Sequence, residues 1–276
     1  MRFVILQYHI FKNAGTSVEE ILDRNFGERF ARFDGPDRNA RVHNAWLLSF
    51  LNGNRHIEAI SSHQIRYPMP AAPGFMFFDV CFLRDPLDRI RSMYDYAREK
   101  PDERDPLSDM ALHLDLRRFV ERMLLDMPKW ICEMQTGMLA GRDAPTVGRV
   151  GRAMRTMLQT SFLGVVDRFE ESLQAGEFFL RSAFPALRCQ TGLVNVSKGL
   201  DGTLDDRKRR LREACGERLY EELVQRNALD LKLVERARVE IERRFRIATT
   251  QPFRPRSLEA DRISSFRKNG VAGRAR

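Results

Sequence analysis

Lys12, Thr16 and Ser17 fall within one short turn, with Gly15 just before the hydroxyls. An amine, two hydroxyls and a glycine so close together are groups that hold phosphate. Their flanks strengthen the reading. Phe3–Ile10 is rich in Val, Ile, Leu, Phe and Tyr, the composition of a buried strand. From Ser17 on, Val18, Ile21, Leu22 and Phe26 recur at helical spacing, so a helix opens there. Free N–H groups of a first helical turn attract anions, and the helix dipole adds to them. Gly15 is expected to let the backbone approach the anion closely. The order is not that of a Walker A loop, whose Lys follows the second Gly. The plainer alternative is an exposed loop lysine and a Thr16 or Ser17 that only caps the helix.

Three further sites carry chemistry. Arg84 follows Phe75–Leu83, a nearly continuous apolar run broken only by Asp79 and read as a central strand. Asp85 and Pro86 then suit the cap and first position of a helix, with Asp88 as a capping partner and Ser92 farther along it. A salt bridge from Arg84 to Asp85 or Asp88, and a plain surface role for Ser92, are the competing readings. His63 closes a short strand, Ile57–Ser62, and its imidazole is the natural base for a hydroxyl near neutrality. Lys198 lies just past a short strand expected within Leu187–Val196. His9, His43, His56 and His113 read as structural or surface residues, and Tyr94 and Tyr96 as helix packing.

The elements between these sites are helices. Ala45–Leu51, Leu114–Leu125, Lys129–Ala140, Val147–Leu158 and Asp167–Phe184, the last capped by Asp167, follow one another with a strand at Phe162–Val166. Gly27–Asn44, Gln64–Gly74 and Glu99–Ser108 read as polar or Pro-containing connections, and Gly141–Pro145 as a turn. Leu204–Ala214, Glu217–Asn227 and Leu229–Ile247 are charged amphipathic helices. Alternation of strands and helices predicts an α/β fold, a parallel sheet flanked by helices with a helical C-terminal part. Ligands of such sheets bind beyond the carboxyl ends of the strands. Lys12–Ser17, His63, Arg84 and Ser197–Lys198 all fall there. The domain is expected to span 1–248, with 249–276 a basic, mobile tail.

The chain has 276 residues and a formal charge of +9, a balance that favours anionic partners and suits peripheral contact with an anionic surface. Its four cysteines, at 81, 132, 189 and 215, form no CxxC pattern, so reduced thiols and no zinc are expected. Neither a secretory signal nor a run of 18 apolar residues is visible, and the expected compartment is the cytoplasm.

YHIFKNAGTSVEEIL resembles the 5′-phosphosulfate loop of carbohydrate sulfotransferases, specifically the heparan sulfate 2-O- and 6-O-sulfotransferase group, where it reads approximately HIPKTAGTSL. FFDVCFLRDPLDRIRSMYDY resembles that group's 3′-phosphate segment, LRDPxxRxxSxY after a strand. Ser61-Ser62-His63, TGMLAG (136–141), FLGVVDRFEESL (162–173) and LVNVSKG (193–199) look like further segments, so the likeness covers roughly 3–200. Phe11 stands where Pro is usual, and Asn13 where Thr or Gly is usual. The group's Golgi members carry a membrane anchor that is not seen here, which suggests a bacterial-type enzyme.

The resemblance implies a P-loop-kinase-like fold. It also implies transfer of a sulfuryl group from 3′-phosphoadenosine 5′-phosphosulfate (PAPS) to a carbohydrate hydroxyl, leaving adenosine 3′,5′-bisphosphate (PAP), without a metal. Lys12 would stabilise the leaving phosphate. Asn13, Ala14, Gly15, Thr16 and Ser17 would bind the 5′-phosphate. Arg84, Ser92 and Lys198 would bind the 3′-phosphate, and His63 would be the base. Acceptor contacts are expected from Asp34–Asn44, Gln64–Gly74 and Glu99–Ser108. A small-molecule kinase is disfavoured by the loop order. A non-catalytic nucleic-acid-binding protein lacks a recognisable module, and no nucleic-acid partner is expected.

Overall fold

A computed structural model describes residues 1–36, 41–102, 105–141, 147–190 and 202–250. Five parallel strands, β1 (Arg2–Tyr8), β2 (Phe30–Arg32), β3 (Ala59–Ser62), β4 (Phe75–Leu83) and β5 (Phe162–Val165), form one sheet in the order β2-β3-β1-β4-β5. Helix α1 (Gly15–Phe26) follows β1, α2 (Asn44–Gly53) precedes β3, and α3 (Pro86–Glu99) follows β4. Five helices then lead to β5: α4 (Pro106–His113), α5 (Leu116–Asp126), α6 (Pro128–Ile131), α7 (Met134–Ala140) and α8 (Arg149–Gln159). After it come α9 (Phe169–Leu180), α10 (Leu204–Cys215), α11 (Glu217–Arg226) and α12 (Ala228–Thr250). The expected parallel sheet, flanked by helices with a helical C-terminal part, is what the chain forms.

Both faces of the sheet are buried, which is why β1 and β4 read as nearly continuous apolar runs. Val4, Leu6 and Tyr8 of β1 pack with α2, α7, α8 and α12, while Ile5 packs on the other face with α1 and α9. Asp79, the polar break in β4, is 4% exposed and satisfied. It accepts from the Tyr67 hydroxyl at 2.9 Å and from the Ser161 N–H and hydroxyl at 2.8 and 2.9 Å. A third apolar cluster joins α3, α4, α5, α6, α10 and α11 beside the sheet.

Several boundaries differ from expectation. The stretch Gly27–Asn44 holds the edge strand β2, too short for its alternation to show. His9 and Ile10 lie past the end of β1, not within it. Lys129–Ala140 is two helices, broken where Glu133 takes φ 53°. Asp167 lies in a 3-10 turn and caps nothing; its carboxylate is held by the Arg238 guanidinium at 2.9 and 3.1 Å, and α9 starts at Phe169. Leu187–Gln190 forms no strand, and the rest of that expected strand lies outside the described residues. Helix α12 continues to Thr250, past the expected domain end; 251–276 also lie outside. Among the described residues, no helix is long and apolar enough to cross a membrane.

Candidate functional site

The chain leaves β1 toward β2 on one side of the sheet and leaves β4 toward β5 on the other. Neighbouring strands whose connections diverge open a crevice at their carboxyl ends. The 9–15 loop and the Arg84 turn border it. They are bonded to each other: Asn13 Nδ2 donates to the Phe82 carbonyl at 2.8 Å, and Arg84 Nη1 donates to the Lys12 carbonyl at 3.0 Å.

The loop winds through two left-handed residues, Lys12 at φ 64° and Ala14 at φ 58°. Non-glycine residues there cost on the order of 1–3 kcal/mol each and persist where the surroundings impose them. Such turns aim consecutive N–H groups inward as an anion nest. Helix α1 begins at Gly15, two residues before the expected start, with Ala14 as N-cap and no capping side chain. The first helical bond runs from the Val18 N–H to the Ala14 carbonyl at 3.2 Å, so the N–H groups of Gly15, Thr16 and Ser17 face the loop mouth. Neither Thr16 nor Ser17 caps the helix, which overturns the plainer reading of both hydroxyls.

Gly15 has a packing role besides the expected one. A Cβ there would lie 1.9–2.0 Å from the His9 ring, so the glycine makes room for the imidazole. Gly15→Ala should force His9 or the start of α1 to move, at about 1–3 kcal/mol for overpacking. The check is a melting-temperature drop accompanied by weakened anion binding in calorimetry; a variant matching wild type in both would refute the assignment.

Lys12 Nζ lies over the Tyr96 ring, 4.1 Å from its centroid, a cation–π contact at the edge of the crevice. Tyr96 therefore touches a site residue and is not mere helix packing. Burial, then the nearby Arg84 guanidinium, lowers the Lys12 pKa to about 8. Arg84 is 6% exposed, and its Nε bonds Asp88 at 2.8 Å. The salt-bridge alternative for Arg84 is thus realised, though the same guanidinium also braces the loop. Asp88 pairs with Arg207 Nε at 2.7 Å as well, while Asp85 caps α3 through Leu87 and Asp88 N–H groups. Burial works against the charge on Asp88, but Arg84 and Arg207 hold its pKa below the usual carboxylate range. Lys208 and Arg238 each approach Asp85 to 3.7 Å, so α3 starts within a basic cluster. Ser92 is half-buried on α3. Lys198 lies outside the described residues.

His63 reaches the same edge by register. Tyr8 of β1 pairs with Ser62 of β3, so the next residues, His9 and His63, come side by side. Their rings stack, centroids 3.8 Å apart and planes 31° from parallel. His63 Nδ1 lies 3.0 Å from the His9 carbonyl. A carbonyl only accepts, so Nδ1 carries the hydrogen and Nε2 is the bare nitrogen of the neutral ring. Asp34 accepts from the His63 N–H at 2.8 Å and fixes the turn. Removal of water, then the His9 ring, lowers the His63 pKa, against opposite pulls from Asp34 and Glu19. A neutral imidazole with Nε2 free is competent to accept a proton.

Three supporting residues were invisible as site residues in the sequence. His9, taken as structural or surface, is 8% exposed and bonds Glu19 through Nδ1 at 2.8 Å. The usable signals were its place at the strand end and a carboxylate, Glu19, next to the apolar stripe of α1. Gln135, fully buried, accepts from Asn13 Nδ2 and the Arg84 N–H and donates to the Arg84 carbonyl. Asp230 of α12 holds Gln135 in turn, through its N–H at 3.1 Å. No sequence signal marks Gln135.

No protein-family model matches the chain. It is similar to an uncharacterized protein of Archaeoglobus fulgidus, 26% identical over 244 residues that cover 85% of this chain and 96% of that protein.

Proposed function

We propose that the chain is a sulfotransferase that moves a sulfuryl group from PAPS to a carbohydrate hydroxyl. One observation carries the reading: an uncapped helix N-terminus and a lysine share a sheet edge with a histidine whose Nε2 is free. The residues fit the donor, because the N–H groups of Gly15, Thr16 and Ser17 have no capping side chain to compete with an anion. PAPS supplies a sulfuryl group on an anionic leaving phosphate.

The loop from Ala14 to Ser17 holds the 5′-phosphate, braced from beneath by Asn13, whose N–H and amide donate inward, and Arg84, Ser92 and Lys198 hold the 3′-phosphate. Lys12 leaves Tyr96 and neutralises charge on the leaving oxygen. His63 Nε2 takes the acceptor's hydroxyl proton. The acceptor oxygen bonds sulfur as the sulfur–oxygen bond to the phosphate breaks, its electrons remaining on the phosphate. Positioning and electrostatics supply most of the acceleration. Anionic donor and product suit the net charge, and a chain of this kind would work in the cytoplasm on a glycan or glycolipid precursor.

Calorimetry of the full chain with PAP, without added metal, tests the reading. Tight binding that weakens in Arg84→Ala is expected. Absence of PAP binding would overturn the reading, and binding only with Mg²⁺ and a preference for ATP would return the chain to the kinase alternative.

A further inference from the structure

His63 does not stand alone at the strand end. His9 supports it twice, with its carbonyl on Nδ1 and with its ring face at 3.8 Å. Behind His9 lies Glu19, whose side chain is 10% exposed. Its Oε1 receives the His9 ring and the Ser61 hydroxyl at 2.8 and 2.6 Å, and its Oε2 receives Arg32 Nε at 2.8 Å. Burial favours the protonated acid, yet these bonds hold the Glu19 pKa at about 2. An ionised carboxylate in contact with one of two stacked imidazoles makes the pair unequal. Two cationic rings at stacking distance repel, so the pair accommodates one positive charge.

We propose that Glu19 and His9 are positioning residues that draw this charge to the far ring and leave His63 neutral, with Nε2 ready to accept a proton. The proposal rests on the reading of His63 as base, but the charge placement is measurable without turnover. Every charged neighbour of the pair enters the balance. Among the described residues these are Glu19 on α1, Arg32 on β2, Asp34 beyond it, and Arg66, whose Nη1 donates to the His63 carbonyl at 2.6 Å. A packing role, in which His9 merely fills the space beside Gly15, is the competing account.

The two accounts predict opposite signs. A carboxylate acting only through space favours a charged His63, so its removal would lower the His63 pKa. If the carboxylate instead draws the charge to His9, its removal releases the proton to His63 and the pKa rises. The experiment is an NMR pH titration of the imidazole resonances of the full chain, with His63 assigned from the spectrum of His63→Asn. Glu19→Gln keeps an oxygen that can accept from the Ser61 hydroxyl, and His9→Gln keeps an amide that can donate to Glu19. In either folded variant the His63 midpoint should rise by about one pH unit, a tenfold gain in proton affinity. The rising limb of kcat/KM against pH should move by the same amount. A midpoint that falls or stays fixed in a variant with an otherwise wild-type spectrum overturns the proposal. Should the midpoint rise while no sulfuryl transfer is found, the pair stands and the assigned reaction fails.

Discussion

His63→Ala is expected to leave PAP affinity near wild type and to lower sulfuryl transfer to the true acceptor by about 10²–10⁴-fold, the usual cost of losing a positioned base. The physical ground is the tautomer. The His9 carbonyl takes the Nδ1 hydrogen, so the bare nitrogen of His63 is Nε2. Among the described residues no hydrogen bond joins His63 to the nest at Ala14–Ser17, which is why binding and turnover should separate. His63→Gln is a stricter test, since it retains a polar side chain without a titrating base. If either variant keeps full activity, or if a carboxylate variant at Asp34 alone removes the rising limb of the pH profile, the base lies elsewhere.

Lys12→Ala should lower kcat by about 10²–10³-fold, comparable to losing one preorganised donor to a developing oxyanion, and should weaken PAP binding less. The separation is expected because charge on the leaving oxygen grows only in the transition state. Equal losses in kcat and affinity would reduce Lys12 to a binding residue. The pH profile checks the same residue independently. Lys12, with its pKa lowered to about 8, is charged below that pH and neutral above it. His63, lowered from the ordinary imidazole value, becomes a competent base as pH rises through the acid side of neutrality. Taken together, kcat/KM should be bell-shaped, rising below neutrality and falling near pH 8. Bound donor phosphates favour the charged amine, so the falling limb should move to higher pH in kcat. A falling limb that persists in Lys12→Arg, which stays charged throughout, would assign it to another group.

Local signals were legible because they act within a few residues. The central strands β1 and β4 announced themselves as apolar runs, since a parallel strand is covered on both faces. Asp85 and Pro86 marked the start of α3, as a capping carboxylate and a ring with preset φ do anywhere in a chain. The loop at Lys12–Ser17 was recognisable by its residue types. Its left-handed turns were not, because they fall on Lys12 and Ala14 while the glycine keeps another post. The edge strand β2 escaped because three residues cannot display a period.

Residue types and their spacing alone therefore determined a parallel α/β sheet and the two loops that meet at its carboxyl edge. Partner choice belonged to the tertiary structure. Asp167 had the place of a helix cap, yet Arg238 of α12 claims it. Arg84 could have faced a ligand freely, and Asp88 and the Lys12 carbonyl hold it. His9 looked like an ordinary strand-end residue until the register of β1 on β3 set it against His63. A side chain's partner depends on which strands become neighbours and in what register. That is a property of the closed sheet, and no window of neighbouring residues contains it.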